Sequence, residues 1–292
     1  MDAWQPGCRA ESPLVSAVLE LRDAALGYDG RVLWSGLDLD VEPGEFVAVL
    51  GANGSGKTSL LRAVLGLQPL TSGTLRVGGR PARRGDRAIG YVPQQRRLEP
   101  TTPMRAKDVV RQGLDGHRWG IGRPGRVGWD QVARALEAVE ATSYADVPVG
   151  VLSGGEQQRV RIAQALVADP SLLLCDEPLL SLDLASQRTV TTLVDRRRRE
   201  HGSGVLFVTH EINPVLPYVD RVLYLAGGRF SVGTVEEVLT SGTLSDLYDA
   251  PIEVVRTGGR ILVAGIPDTP DNAHHHEHHH DHRGQVQEAA HG

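Results

Sequence analysis

The chain has 292 residues, of which 40% are apolar and 23% are charged, and its formal net charge at pH 7 is −5. This composition excludes a disordered protein, and no apolar run reaches the roughly 20 residues that a membrane-spanning helix needs. Most of the negative charge lies in residues 267–292, so the rest of the chain is nearly neutral, which argues against a broad nucleic-acid-binding surface.

Cysteine use and the N-terminus indicate the compartment. The two cysteines, Cys8 and Cys175, are too few for a disulfide framework and favour a reducing cytosol. Residues 1–16 contain no basic segment followed by an apolar core, so they predict a flexible extension rather than a signal peptide. The basic run Arg196–Arg199 is interpreted as the solvated end of a helix.

Strand signals dominate the first part of the chain. Short β-like runs separated by turns predict antiparallel strands between Val18 and Glu45. The continuous apolar run Phe46–Leu50 is typical of a buried parallel strand, and the pattern from Ser59 to Leu67 predicts a helix.

The middle of the chain is predicted to be helical. From about Arg96 to Leu152 strand signals are missing, and Val132, Leu136 and Val139 recur on one face of an amphipathic helix. Asp130 is the predicted N-terminal cap of that helix.

Strands and helices then alternate along the chain. A helix is predicted after Gly155, followed by a strand Leu172–Cys175, a helix Ser186–Glu200 and a strand Val205–Val208. This alternation is typical of a parallel α/β sheet, into which the middle helical stretch is inserted. From Pro267 onward the sequence is polar and of low complexity, so no structure is predicted there.

A glycine-rich loop follows the predicted strand Phe46–Leu50. Residues 51–58 fit the pattern G-x-x-x-x-G-K-[ST] between a strand and a helix, which is the context that a phosphate-binding loop requires. The glycines let backbone N–H groups converge on phosphate oxygens, and the helix N-terminus adds positive potential. Lys57 is predicted to reach the β- and γ-phosphates, and Thr58 to give its hydroxyl to Mg²⁺.

Two carboxylates follow the strand Leu172–Cys175. Ligands of open α/β sheets bind at the carboxyl ends of the strands, where these acids lie. Asp176 is predicted to hold Mg²⁺, directly or through water, and Glu177 to polarise the attacking water. Together with the glycine-rich loop they predict a nucleotide-binding P-loop protein, but they do not identify its kind.

The run Leu152–Arg159 reads LSGGEQQR and resembles the LSGGQ signature of the ATP-binding subunits of ABC transporters. Ser153, Gly154 and Gly155 open a predicted helix as a second anion site, and Glu156 stands where glutamine is commoner. In that family the signature of one subunit faces the phosphate loop of another. The resemblance therefore implies a nucleotide-sandwich dimer of two copies of the chain.

The resemblance extends over about residues 18–245 and implies roles for four more residues. Tyr28 matches the aromatic residue that stacks on adenine, with a tyrosine of the core as the alternative. Gln94 matches the glutamine at Mg²⁺ and the attacking water, although Gln95 leaves its register open. Asp183 matches the residue that communicates across the dimer, with a simple helix cap as the alternative, and His210 matches the histidine at the γ-phosphate. The implied ATP site comprises Tyr28, Gly51, Asn53, Gly54, Ser55, Gly56, Lys57, Thr58 and Ser59.

The family resemblance also implies a fold and a division of the chain. The expected fold is an α/β P-loop NTPase with a RecA-like core, an antiparallel β subdomain and an inserted helical subdomain. Residues 17–250 are the predicted ATPase domain, with the helical insertion at about 96–152. Residues 251–266 are a predicted C-terminal strand or extension.

The expected function is ATP hydrolysis, with Mg²⁺, that powers import through separate membrane permease subunits and, indirectly, a solute-binding protein outside the membrane. The chain is then expected on the cytoplasmic face of the cell membrane. Residues 91–94 and 108–110 are similar to the zinc and manganese uptake ATPases, which implies a divalent transition metal as cargo. Another cargo, export, an ABC ATPase acting on nucleic acid or ribosomes, and a metal-buffering protein without hydrolysis remain alternatives.

Residues 267–292 are predicted to be a disordered, His-rich tail. Seven imidazoles and two carboxylates within residues 274–282 match the ligand preferences of zinc, nickel or copper. A purification tag and a solvated tail without function are the alternatives. The candidate Zn²⁺ ligands are His274, His275, His276, His278, His279, His280 and His282.

Overall fold

The computed structural model describes residues 17–28, 30–94, 99, 101–115 and 126–265. Within them, the strands are β1 (Leu19–Tyr28), β2 (Arg31–Val41), β3 (Phe46–Gly51), β4 (Ser72–Val77), β5 (Arg80–Pro81), β6 (Ile89–Val92), β7 (Leu172–Asp176), β8 (Gly204–Val208), β9 (Arg221–Ala226), β10 (Arg229–Gly233), β11 (Glu253–Thr257) and β12 (Arg260–Ala264). The α-helices are α1 (Lys57–Val64), α2 (Ala106–Asp115), α3 (Arg126–Ala138), α4 (Gly154–Leu166), α5 (Leu184–His201), α6 (Val235–Val238) and α7 (Ser241–Tyr248). No helix of the described residues is long and apolar enough to cross a bilayer.

The main sheet has six strands in the order β10-β9-β3-β8-β7-β6. The strands from β9 to β6 run parallel, and β10 closes one edge antiparallel to β9. β3 and β8 are continuous apolar runs because both faces of this sheet are covered. The predicted parallel strands Phe46–Leu50, Leu172–Cys175 and Val205–Val208 are confirmed, and Cys175 is fully buried among them.

The alternation of side chains along β3 separates two cores. Phe46, Ala48 and Leu50 belong to a core with helices α2 to α5. Val47 and Val49 belong to a second core with α1 and the four-stranded antiparallel sheet β2-β1-β4-β5. The predicted antiparallel strands of the N-terminal region are confirmed as β1 and β2.

Helix α1 begins and ends earlier than the predicted range Ser59–Leu67. It starts directly after the glycine-rich loop and ends at Val64. Gly66 then adopts a φ of 67°, the left-handed conformation that commonly ends a helix.

The described residues between 101 and 152 contain helices and no strand, which confirms the helical prediction for that part of the chain. The three predicted apolar positions are buried. The predicted cap Asp130 is wrong, because α3 begins at Arg126 and Asp130 lies inside it. The additional first turn carries Trp129, which packs against the main core.

The interpretation of Arg196–Arg199 as a solvated helix end is wrong for two of its four side chains. The side chains of Arg197 and Arg198 are each only 10% exposed, and Arg197 pairs with Asp169. The guanidinium of Arg198 donates to the carboxylates of Asp195 and Asp220 and to the carbonyls of Gly44 and Tyr218. The run therefore ties α5 to other segments of the core.

Strands β11 and β12 form an antiparallel hairpin within residues 251–266. Its turn, Gly258–Gly259, has φ values of 56° and 73°, which suit the two positive-φ positions of a type I′ turn. Ile261 of β12 is 4% exposed and packs into the main core. The hairpin is thus attached to the body of the molecule.

Candidate functional site

The glycine-rich loop joins β3 to α1 in a conformation that requires glycine at two positions. At Gly51 φ is 137° and an added Cβ would lie 2.0 Å from the Leu225 carbonyl oxygen. At Gly56 φ is 100° and an added Cβ would lie 2.8 Å from Nε1 of Trp34. Since β9 and β2 press on the loop from two sides, its backbone shape is determined by packing before any ligand arrives.

The loop holds a buried ammonium at its centre. Lys57 Nζ donates to the carbonyl oxygens of Gly51 and Ala52 over 2.7 and 2.9 Å. Burial lowers the pKa of Lys57, while Glu177 and Asp176 favour its charged form. Phosphate oxygens would find here a desolvated cation with a strong electrostatic attraction.

The hydroxyl of Ser55, also in the loop, indicates whether the site fits a phosphate. Its Oγ is buried and has no hydrogen-bond partner among the described residues. A buried hydroxyl without a partner is unfavourable unless a ligand supplies one. Together with the backbone N–H groups around positive-φ glycines, this hydroxyl fits a phosphate oxygen.

Strand β7 ends in the two predicted carboxylates. Asp176 is 5% exposed, burial raises its pKa, and Oδ2 accepts a hydrogen bond of 3.3 Å from the Tyr91 hydroxyl. Burial in turn raises the pKa of Tyr91 to about 12, so this phenol remains a donor. Asp176 is therefore oriented by β6, and a cation would stabilise its ionised form.

Glu177 lies at the centre of a polar cluster. Its Oε1 is 2.5 Å from His210 Nε2, and its Oε2 accepts a hydrogen bond of 3.0 Å from Gln94. The hydrogen bond with His210 is the largest cause that lowers the pKa of Glu177. The carboxylate is thus ionised at neutral pH and can accept a proton.

The sheet order explains why these three side chains meet. Gln94, Glu177 and His210 follow β6, β7 and β8, which are neighbouring parallel strands, so their carboxyl ends lie side by side. The glycine-rich loop follows β3, the next strand along. Three residues predicted from separate motifs are thereby brought to one edge of the sheet.

A cleft of about 390 Å³ opens over this edge. Tyr28 stands at its mouth with 69% of its surface exposed, which contradicts a core role and suits stacking on a flat ring. The lining residues are Tyr28, Leu33, Asn53, Gly54, Gly56, Lys57, Thr58, Ser59, Arg62, Gln68 and Glu177.

The signature run begins α4, which packs on the face of the main sheet opposite to α1. Ser153 and Glu156 form a reciprocal capping box, in which Glu156 Oε2 accepts from the Ser153 backbone N–H over 2.8 Å. The Ser153 hydroxyl also donates to Oε2 over 2.8 Å, and this hydrogen bond, followed by that of the backbone N–H, lowers the pKa of Glu156. Residues 153–156 are not among the described residues that line the cleft.

Asp183 caps α5 next to the signature. Its Oδ1 accepts from the Ser186 backbone N–H over 2.9 Å. An added Cβ at Gly155 would lie 2.5 Å from Ser186 Oγ, so the starts of α4 and α5 are in contact. The capping role is present, and the role across a dimer stays a prediction.

Several sequence predictions lie outside the described residues. They are Cys8, the extension 1–16, the alternative glutamine Gln95, and the seven histidines of residues 274–282.

The structure also adds site residues that the sequence reasoning missed. Trp34 supports Gly56 from below, and Tyr91 orients Asp176. Trp34 could have been identified from the sequence as an aromatic residue at a buried position in the alternating pattern of β2.

Comparison with known proteins supports one family. The family profile described as ABC transporter matches residues 34–180. The zinc transport system ATP-binding protein TroB of Treponema pallidum is 35% identical, over 86% of this chain and 91% of its own length. The aliphatic sulfonates import ATP-binding protein SsuB 1 of Pseudomonas fluorescens is 40% identical, over 74% of this chain and 76% of its own length.

A solved structure agrees with these sequence relationships. An ATP-binding cassette crystallised as a dimer in a post-hydrolysis state, bound to ADP and Pi, superposes with a TM-score of 0.61 at 28% identity. The match covers 73% of this chain and 97% of that structure. The predicted α/β P-loop fold is therefore confirmed, and the chain belongs to the ABC transporter family as one of its ATPases.

Proposed function

We propose that this chain is the ATP-hydrolysing subunit of an importer for a divalent transition metal such as zinc or manganese, and that it works through separate membrane permease subunits. The observation that carries the ATPase part is the Gln94–Glu177–His210 cluster beside the phosphate loop. The metal cargo is supported by the zinc relative, which matches more of the chain than the sulfonate relative does.

The residues of the cleft and of the polar groups beside it divide the proposed chemistry among them. The loop N–H groups, Ser55 and Lys57 bind the phosphates, and Tyr28 stacks on the adenine. Thr58, Asp176 and Gln94 would hold Mg²⁺, which would supply positive charge to the phosphates. Glu177 accepts the proton of the attacking water, and His210 donates toward the terminal phosphate.

The signature run supports a reaction centre shared between two copies. Residues 153–156 begin a helix that packs on the sheet face opposite to α1, and the N-terminus of this helix suits an anion. Two copies arranged head to tail would each offer the signature to the partner's nucleotide. Asp183, beside the signature, would then contact the other copy.

The proposed partners follow from this arrangement. Closing and opening of the dimer would move the permease subunits, and a solute-binding protein outside the membrane would deliver the metal to them. The proposed location is the inner face of the cell membrane, where ATP is available.

The histidine segment is proposed to bind Zn²⁺ as a store or sensor, apart from the ATPase core. We expect the full chain to bind Zn²⁺ at micromolar concentrations near neutral pH in calorimetry. A variant with alanine at the seven positions His274, His275, His276, His278, His279, His280 and His282 would lose that binding. Equal binding by both chains would overturn this assignment.

The ATPase assignment is tested by Glu177→Gln. We expect ATP turnover to fall by about 100-fold or more, because a general base contributes at least that factor. ATP binding should persist, and the variant should accumulate as an ATP-bound dimer in size-exclusion chromatography. Turnover at the wild-type rate would show that Glu177 is not the base.

A further inference from the structure

The side chain of Asn213 bridges two distant parts of the chain. Its Nδ2 donates to the Ile261 carbonyl oxygen over 2.9 Å, and its Oδ1 accepts from the Ile261 backbone N–H over 2.8 Å. One amide thus satisfies both backbone groups of a residue in β12. This pairing attaches the C-terminal hairpin to the segment that follows β8.

That segment carries His210, three residues before Asn213. Thr209 stabilises the start of this segment, since the Thr209 Oγ1 donates to the Glu211 carbonyl over 3.0 Å and accepts from the Glu211 N–H over 3.2 Å. Its further course is buried, with Ile212 at 6% and Val215 at 0% exposure. Both pack in the same core as Ile261.

His210 itself is held less firmly. Its side chain is 38% exposed, and the contact that orients it in this structure is the one with Glu177. The position of its imidazole therefore depends on the backbone between Thr209 and Asn213. At its Asn213 end, that backbone is anchored by the two hydrogen bonds to Ile261.

We propose that Asn213 is a positioning residue for ATP hydrolysis, which holds His210 at Glu177 by tying its loop to the C-terminal hairpin. The proposal rests on the proposed function, in which His210 and Glu177 act on the terminal phosphate. It gives the hairpin a part in the chemical step, although β11 and β12 contribute no residue to the cleft among the described residues that line it.

A second anchor of the same hairpin provides a matched control. Ser245 Oγ accepts from the Ile252 N–H over 2.9 Å and donates to the Ile252 carbonyl over 3.3 Å. Like Asn213, it bridges both backbone groups of one isoleucine at the hairpin. Unlike Asn213, it lies on α7, away from His210.

The experiment compares ATP turnover by Asn213→Ala and Ser245→Ala in the full chain. We expect Asn213→Ala to lower kcat by about 10-fold with KM for ATP changed less than about twofold, the signature of a lost transition-state interaction. Ser245→Ala should keep kcat within about twofold of the wild type, although both variants lose hairpin anchors. Equal kcat values for the two variants would overturn the proposal.

A double-mutant cycle separates positioning from general loosening. If Asn213 acts through His210, adding Asn213→Ala to His210→Ala lowers kcat no further, whereas independent effects would multiply. Should Asn213→Ala fail to fold, Asn213→Asp keeps the acceptor for the Ile261 N–H and serves in the same comparison. A wild-type rate for Glu177→Gln would defeat the proposed function itself, whatever the Asn213 variants do.

Discussion

Two neighbouring carboxylates at the end of β7 have opposite pKa shifts. Burial raises the pKa of Asp176, whereas the hydrogen bond with His210 lowers that of Glu177. Their surroundings differ: Asp176 is the last residue of β7 and is 5% exposed, whereas Glu177 follows the strand with a φ of 48° and contacts His210. A bound cation would stabilise the ionised form of Asp176, as His210 does for Glu177.

The lowered pKa of Glu177 predicts a pH dependence of stability. Because the folded pKa lies below the ordinary value of 4.5, ionised Glu177 stabilises the fold above that pH, and the stabilisation is lost as the pH falls through the folded pKa. We expect the free energy of unfolding of the wild type to fall with acidification more steeply than that of Glu177→Gln. Denaturant titrations of both chains at several pH values, without nucleotide, measure this free energy. An equal pH dependence of the two free energies would contradict the prediction.

Gly51 and Gly54 predict different costs for the same substitution. Both have positive φ, but an added Cβ at Gly54 meets nothing within 4 Å, whereas at Gly51 it lies 2.0 Å from the Leu225 carbonyl oxygen. Gly54→Ala should lower the free energy of unfolding by about 1–2 kcal/mol through backbone strain alone. Gly51→Ala should cost clearly more, because β9 must also shift, and equal losses in denaturant unfolding would refute this difference.

At the scale of elements, α5 shows how a charged run can be structural. Its last two turns place Arg198 against two carboxylates and two carbonyls, while Arg199 points outward with 65% of its side chain exposed. Adjacent helix positions lie about 100° apart around the axis, so neighbouring arginines reach different surroundings. Both residues are arginines, so the sequence alone does not distinguish them, and only the packing of α5 shows which one is buried.

This contrast predicts unequal effects of two substitutions. Arg198→Ala should lower the free energy of unfolding by about 1.5–3 kcal/mol, since the buried carboxylate of Asp195 and the two carbonyl oxygens lose a charged donor. Arg199→Ala should change it by less than about 1 kcal/mol, as expected for an exposed ion pair. Thermal and denaturant unfolding of the two variants provide the measurement, and a similar loss in both would argue against the buried network.

The elements that the sequence predicted well are those with local signals. Each of these features is formed by residues that are consecutive in the sequence: the glycine-rich loop, the acids at the end of β7, and the buried strands. The structure confirms those strands. The missed features join residues far apart in the chain. Asn213 meets Ile261 across 48 residues and Arg198 meets Gly44 across 154, distances over which no periodicity carries information.

At the scale of the whole molecule, the helix after the phosphate loop and the helix that the signature begins pack on opposite faces of the main sheet. If the reaction centre is shared, two differently disabled chains can rescue each other. We expect Lys57→Ala and Ser153→Arg each to be inactive alone and a mixture of the two to regain ATP turnover, since the mixed dimer has one intact centre.

The control for this rescue is a mixture of Lys57→Ala with Thr58→Ala. Both variants are damaged in the phosphate loop, so no pairing of them assembles an intact centre. Rescue in the first mixture and none in the second is the expected result of phosphate-release assays. Full activity of Ser153→Arg by itself would mean that each chain works alone.

The burial of Cys175 has a consequence for the proposed import of a thiophilic metal ion. The thiol lies one residue before Asp176 and is fully enclosed, and burial raises its pKa far above the ordinary value. Zinc and its neighbours coordinate thiolates, not protonated sulfur. Under that proposal, the thiol of Cys175 would not bind zinc, and the strand that ends at Asp176 would resist damage by the transported metal.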